Sequence, residues 1–393
     1  MDSETGTPLS FPFAEHAVME IEPEYELLRK RSGMARVTVP HGDEAWLATR
    51  MAEVKKVLGD PRFSREATAD PDAPRYTRQA MAALDVVVTM DPPRHTRVRK
   101  LLNKAMTNKR AEDLAPEVAA VADELVDEIM AQGAPGDLVE KFGLELPLRV
   151  LAALFGVPDD EYGRFKDLVH DMVATGTGQQ LGAYFFELLG RRQAERGDDL
   201  LSALLDVREG DDRLTDMEII INAVTMVVAG YETTSSELCG MLYVLLRHPE
   251  QLSYLVAHPD RVPGAVEELL RFTPMTSTGT NPAIATEDVT IGDAVIRKGE
   301  AVLACLVSAN RDEEAFENPQ VLDTTRDTAV PHVSFGFGPH YCVGARLARI
   351  ELQTGVGTVL RRMPDLALAV PEDQISLASG FVMRRLAGLP VTW

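Results

Sequence analysis

The stretch FGFGPHYCVGARLARIEL, residues 335–352, decides how this chain is read. Gly336, Gly338 and Gly344 surround Cys342, and the residues after it have helical periodicity. Glycine permits positive φ and close backbone approach. A cysteine just before a helix sits at the positive end of the helix dipole, which favours thiolate over thiol. Thiolate is a strong, soft metal ligand. The turn therefore reads as a protected anionic sulfur offered to something flat and bulky. Two other readings stand beside it. A lone cysteine is often a small buried hydrophobe at a helix start. A zinc site using His340 and Cys342 lacks the second nearby pair that structural zinc needs.

Composition narrows the field. The chain has 393 residues, 45% hydrophobic and 26% charged, a globular composition with ample length for a large core. Its net charge of -21 argues against nucleic acid and anionic membranes as partners. Cys239, Cys305 and Cys342 are too few and too far apart for a disulfide framework, so a reducing cytoplasm is expected. Cys239 and Cys305 lie in apolar runs without ligand spacing and read as buried structural residues. The N-terminal MDSETGTPLSFPFAEH is acidic and lacks the apolar core of a signal peptide. The longest apolar run, IIINAVTMVVAG (219–230), is too short to span a bilayer and contains Asn222.

Helical periodicity dominates and predicts a mainly α fold with a minor β region. The expected helices are 44–59, 92–108, 112–131, 144–155, 159–173, 179–196, 199–208, 215–247, 250–257, 261–272 and 343–362. Thr215 with Glu218 forms the pattern of a capping box. Short strands are expected at 34–39, 45–49, 288–296 and 301–305, the last two in a small β-meander turning at Gly292 and Gly299. Loops are expected at 67–76, 273–287 and 311–331. No repeat or linker divides the chain, so one domain over 1–393 is expected.

Three further segments carry chemistry. In VVAGYETTSS (227–236), inside the longest apolar helix, Gly230, Thr233 and Thr234 can weaken the backbone ladder and open it locally. Glu232 beside Thr233 sets an acid next to a hydroxyl, a pair suited to passing protons. In EELLR (267–271), Glu268 and Arg271 share a helix face. In DPPRHTRVRKLLNKAMTNKR (91–110), seven Lys and Arg residues follow Pro92 with no acid among them, and His95 and Arg99 share a face.

The pattern Phe335-Gly336-x-Gly338-x-His340-x-Cys342-x-Gly344 resembles the haem-ligand loop of the cytochrome P450 superfamily, in particular its soluble bacterial, actinobacterial-type members. The resemblance implies that family's fold, a triangular α-rich prism with a long central distal helix and small sheets. It implies heme b, the iron protoporphyrin, with Cys342 as the axial thiolate whose electron donation favours O–O cleavage. Phe335, Gly336, His340 and Gly344 then line the haem loop. Ala229, Gly230, Glu232 and Thr233 match the distal-helix acid–alcohol pattern. His95, Arg99 and His340 hold the haem propionates, while Glu268, Arg271 and Arg326 serve the fold. One departure stands out. Where members carry Arg or His three positions before the Thr of ATED, this chain has Ala283, and no Arg or Lys lies between Phe272 and Arg297.

The implied activity is a monooxygenase. It inserts one oxygen atom from O2 into a sizeable, mostly apolar organic substrate, a secondary metabolite such as a polyketide, terpenoid or modified peptide. Electrons are expected from a ferredoxin and its NAD(P)H-dependent reductase, with the basic run at 94–110, extended by Arg346 and Arg349, as their landing patch. A monomer is expected. The substrate is expected to meet 64–90, 168–186 with Tyr184, Phe185 and Phe186, 275–282, and the loop at Phe381 and Val382. The alternatives are a peroxide-driven or radical-coupling haem enzyme and a non-catalytic haem-fold recruitment module.

Overall fold

Hydrophobic alternation in strands and apolar stripes in helices sort this chain into two compact units. One comprises Met1–Asp91 and Glu267–Cys342, the other Pro92–Val266 and Val343–Trp393. The computed structural model describes residues 8–13, 17–42, 44–75, 85–276, 282–326, 331–379 and 383–393.

The first unit is organised by a six-stranded sheet of order β1-β2-β3-β9-β6-β4. Its strands are β1 (Leu9–Ser10), β2 (Met34–Thr38), β3 (Glu44–Ala48), β4 (Phe63–Ser64), β6 (Ala283–Ala285) and β9 (Ala301–Ala304). β3 pairs antiparallel with β2 and parallel with β9. Residues 44–59 were compatible with a helix and, in part, with a strand. The structure divides them into β3 and helix α2 (Met51–Gly59). Partners on both sides claim the backbone of β3, and Ala45 and Leu47 bury their side chains on one face. The expected meander is instead a hairpin of β7 (Val289–Ile291) and β8 (Ala294–Ile296), set between two strands of the larger sheet. Gly292 makes its turn at φ 56°. β6 falls inside the stretch expected to be a loop.

Helix α1 (Pro23–Arg31) has no clear apolar stripe in sequence, because an arginine occupies its inward face. Arg29 is buried there and bonds Glu313 and the Ser308 hydroxyl, next to the short helix α13 (Leu306–Ala309). Only tertiary partners make that position tolerable, since a buried cation must be paired.

The second unit is helical. It contains α3 (Arg94–Ala105), α4 (Asn108–Asp113), α5 (Ala115–Gln132), α6 (Glu145–Phe155), α7 (Tyr162–Thr175), α8 (Gln179–Ala194), α9 (Leu200–Asp206), α10 (Asp216–Leu246), α11 (Pro249–Ala257) and α14 (Ala345–Arg362). A three-stranded sheet joins β5 (Gly136–Asp137), β10 (Ala367–Leu368) and β11 (Pro390–Thr392). The boundary between the units falls within α12 (Val262–Phe272). The helices sit close to their expected places because local signals set their ends. Thr215 and Glu218 form both bonds of the capping box on α10. Gly156 and Gly176 end α6 and α7 in the left-handed region. Among the described residues, no helix is long and apolar enough to cross a membrane.

α10 runs unbroken for 31 residues, so the expected local opening is absent. The hydroxyls do bond backwards: Thr225 to the Ile221 carbonyl, Thr233 to Ala229 and Ser235 to Tyr231. A carbonyl has two lone pairs, and these hydroxyls use the second without evicting the helical N–H.

Candidate active site

In the first unit, Phe335, Gly336, His340 and Cys342 lie in one tight turn. The Cys342 N–H donates to the Phe335 carbonyl at 2.9 Å, and Tyr341 N–H to Gly338 at 3.1 Å. Gly336 and Gly338 have φ of 76° and 72°. At Gly338 any Cβ would come within 2.8 Å of the Leu58 carbonyl oxygen on α2, so only glycine fits. Cys342 is exposed, whereas Cys239 and Cys305 are buried. Burial pushes those two thiols up to about 12 and about 11, so both stay protonated and inert. Three residues after Cys342, α14 begins behind Gly344.

The turn is held from beneath by a chain of buried polar contacts. Glu268 and Arg271 form a bidentate pair with both bonds at 2.7 Å, and Arg326 adds a third arm to Glu268. Arg271 also donates to the backbone carbonyl of Asn310 at 2.8 Å. Asn310 then grips the start of the turn: its Oδ1 accepts from Val333 N–H at 2.9 Å and its Nδ2 donates to Ser334 Oγ at 2.8 Å. Ser334 Oγ donates in turn to the Leu270 carbonyl. Glu268, Arg271 and Arg326 were legible in sequence as a fold motif. Asn310 was not, because nothing local announces which backbone groups an Asn will meet 23 residues away.

In the second unit, Thr225, Ala229 and Thr233 follow each other at helical spacing along α10. Ala229 is exposed and the threonines are half-buried, in a helix otherwise largely buried. The Thr233 hydroxyl donates to the Ala229 carbonyl at 2.5 Å. Gly230 turns toward α6, where a Cβ would stand 3.2 Å from Leu151. Its small size is thus used in helix packing. Glu232 is half-buried, and burial holds its carboxyl above the usual range, partly opposed by Arg385. Adjacent helical residues diverge by about 100°, so Glu232 and Thr233 do not share a face.

His95 is buried in the first turn of α3, and Arg99 lies one turn on, its Nε donating to Asn103. The basic run is not an open patch. Arg97 pairs with Asp212 and Glu218, Lys100 and Lys104 with Glu209, Lys109 with Asp113 and Arg110 with Asp198. Arg346 pairs with Glu112. The sequence order hid these acids, of which Glu209 and Asp212 lie in the α9–α10 connection and Glu218 in the first turn of α10. Ala283 is buried in an apolar cluster of the first unit, and Arg297 stays at the surface with Asp288. Tyr184 and Phe185 belong to the core, beside Phe155 and Phe165, while Phe186 is exposed. Phe381, Val382 and parts of 64–90 and 275–282 lie outside the described residues.

The donor set restricts what metal this chain can hold. No group of three or more His, Cys, Asp and Glu suited to a metal ion exists among the described residues. A single exposed thiol in a glycine turn fits an iron that would be held otherwise by a macrocycle rather than by further protein side chains. Comparison with known proteins agrees. The cytochrome P450 family profile matches residues 189–364. Nocardicin C N-oxygenase of Nocardia uniformis subsp. tsuyamanensis is 42% identical, covering 98% of this chain and 98% of its own length. Mycinamicin IV hydroxylase/epoxidase of Micromonospora griseorubida is 39% identical over 99% of this chain and all of its own length. A solved structure of the LnmA cytochrome P450 hydroxylase, from the leinamycin pathway of Streptomyces atroolivaceus, has a TM-score of 0.92 at 40% identity, covering 98% of this chain and all of that one. The chain belongs to the cytochrome P450 family. It is a haem-thiolate monooxygenase, an oxidoreductase that binds heme b.

Proposed function

We propose that this enzyme inserts one oxygen atom from O2 into a sizeable, mostly apolar secondary metabolite such as a polyketide, terpenoid or modified peptide, with Cys342 as its iron ligand. The observation that carries this reading is the exposed thiol of Cys342 in a turn that only glycines can build. The names of the relatives, a nocardicin N-oxygenase and a mycinamicin hydroxylase/epoxidase, support the substrate class. The aromatic run at 184–186 does not, since two of its three rings are spent on the core.

When bound, the haem supplies activation of O2 and transfer of one oxygen atom. The chain's residues do the rest. Cys342 donates its sulfur as thiolate, and the N–H groups of the turn fix its backbone. Small residues at Ala229 and Thr233 keep one face of α10 unobstructed. Thr233 passes protons with its hydroxyl, and Glu232, whose carboxyl burial holds above the usual range, supplies them from the adjoining face of the helix. His95, Arg99 and His340 bind the propionates, with Phe335, Gly336 and Gly344 shaping the loop and Gly230 and Ala229 the helix. Arg297, paired with Asp288 at the surface, does not take the place of the arginine expected at position 283. We place all 393 residues in one P450 domain, because each unit is assembled from two separate stretches of chain. Electrons come from a ferredoxin and its NAD(P)H-dependent reductase, acting on a cytoplasmic monomer.

Cys342→Ser tests the ligand. The variant should lose the red-shifted absorption band of the reduced carbon-monoxide complex. A band that survives in Cys342→Ser removes Cys342 from the iron.

A further inference from the structure

Members of the family carry Arg or His where this chain has Ala283. The sheet of the first unit puts a different cation beside that position. β4 and β6 pair antiparallel, with Phe63 opposite Ala285 and Ser64 opposite Ile284. The Thr286 N–H, donating to the Arg62 carbonyl at 2.8 Å, extends this ladder at one end. One step past the other end, Arg65 falls opposite Ala283. Residues directly opposite in an antiparallel pair share a face, with Cβ atoms about 4.5–5.5 Å apart. Phe63, Ala283 and Ala285 meet in one apolar cluster, and alternation along the strand puts Arg65 on the Phe63 side. The small side chain of Ala283 leaves room for a long one opposite it.

Arg65 is half-buried, and its Nη1 donates to the Val88 carbonyl at 3.2 Å. Asp91 is close, but its carboxylate is engaged elsewhere: Oδ1 accepts the Arg65 backbone N–H at 2.9 Å, and Oδ2 accepts the Ser64 hydroxyl. Among the described residues, no carboxylate forms an ion pair with the Arg65 guanidinium, and Asp91 attracts it only through space. Arg62, just before the strand, differs, since it pairs with Asp60 and Glu287. Burial holds the Arg65 guanidinium down to about 10 against the pull of Asp91, so it remains a cation at neutral pH. A partly desolvated guanidinium is stabilised best by an anion that matches its planar fork, as a carboxylate does.

We propose that Arg65 binds a haem propionate, supplying from the opposite strand the cation that other members supply from position 283. This rests on haem binding by the chain, and it adds to His95, Arg99 and His340 without depending on them. The Val88 carbonyl orients the fork, because it takes one N–H and leaves the others for the carboxylate. Asp91 and Ser64 are positioning residues, which fix the backbone from which the Arg65 side chain departs.

The test is release of haem from the holoenzyme to excess apomyoglobin. Arg65→Met keeps the length of the stem and removes the charge. It should release haem about tenfold to a hundredfold faster than the wild type, the loss of one charge-assisted hydrogen bond. Arg65→Lys keeps the charge without the fork and should fall between the two. The same measurement is made on protein reconstituted with iron protoporphyrin dimethyl ester, whose propionates carry no charge. Wild type and Arg65→Met should then release the ester at the same rate. A merely structural role, with Arg65 strapping Val88 to the strand, predicts that Arg65→Met speeds release of haem and ester equally. That pattern overturns the proposal, as does unchanged haem release in Arg65→Met or a lysine variant as fast as the methionine one. A wild-type protein that binds no haem overturns the haem reading itself, and that failure shows before any variant is made.

Discussion

Replacing Asn310 by Ala should loosen the cysteine turn without touching any group that meets the haem. Asn310 is 3% exposed and joins α12 to the turn. Its backbone carbonyl keeps the Arg271 contact in the variant, so the Glu268–Arg271 pair stays in place. What disappears is the side-chain grip: the 2.9 Å bond from Val333 N–H and the 2.8 Å bond to Ser334 Oγ. A neutral hydrogen bond contributes about 1 kcal/mol net, and a buried N–H left unpaired costs about 1–3 kcal/mol. Ser334 retains its bond to Leu270, which limits the second loss. The expected penalty is about 2–4 kcal/mol. If it falls wholly on turn geometry, haem affinity drops by about thirtyfold to nearly a thousandfold. The assay is haem transfer from the holoenzyme to excess apomyoglobin, alongside the thermal unfolding midpoint. Asn310→Asp keeps the acceptor for Val333 and should fall between. Wild-type haem retention together with a wild-type midpoint in Asn310→Ala would refute the anchoring role.

Three other outcomes are expected. Thr233→Ala should keep consuming NAD(P)H but divert oxygen to hydrogen peroxide, read as peroxide released per oxygen consumed; an unchanged ratio takes Thr233 out of the proton path. Glu237 and Glu351 keep protons in the folded state that the unfolded chain gives up, so the folded state binds more protons above the ordinary carboxyl range. Stability should therefore decline as pH rises above the ordinary carboxyl range, by up to about 1.4 kcal/mol per pH unit per group. Urea midpoints of Glu237→Gln/Glu351→Gln should show a flatter profile, and an unaltered slope contradicts the burial argument. Glu209→Gln frees Lys100 and Lys104 from their shared partner. It should speed reduction by an acidic ferredoxin at low ionic strength, the gain fading as salt screens charges over about 10 Å at 0.1 M. A slower or salt-independent rate removes this surface from electron delivery.

The amino-acid order by itself determined the helices and the thiol. Helix ends are written in short-range chemistry, such as Thr215 with Glu218 and the glycines at 156 and 176, and the sequence reads them within a few residues. The glycine pattern around Cys342 is likewise local, because a positive φ is a property of one residue. Tertiary structure decided what depends on distant partners. Whether 44–48 is strand or helix was settled by β2 and β9, which no local preference encodes. Arg29 on the inner face of α1 is tolerable only because Glu313 and Ser308 meet it. The basic run at 94–110 looked like an open surface until Glu209, Asp212 and Glu218 folded against it. Asn310 gains its purpose only from the backbone it reaches. The unbroken path of α10 through its threonines follows the same logic: hydroxyls compete for carbonyls in sequence, but the packed helix gives each carbonyl both partners.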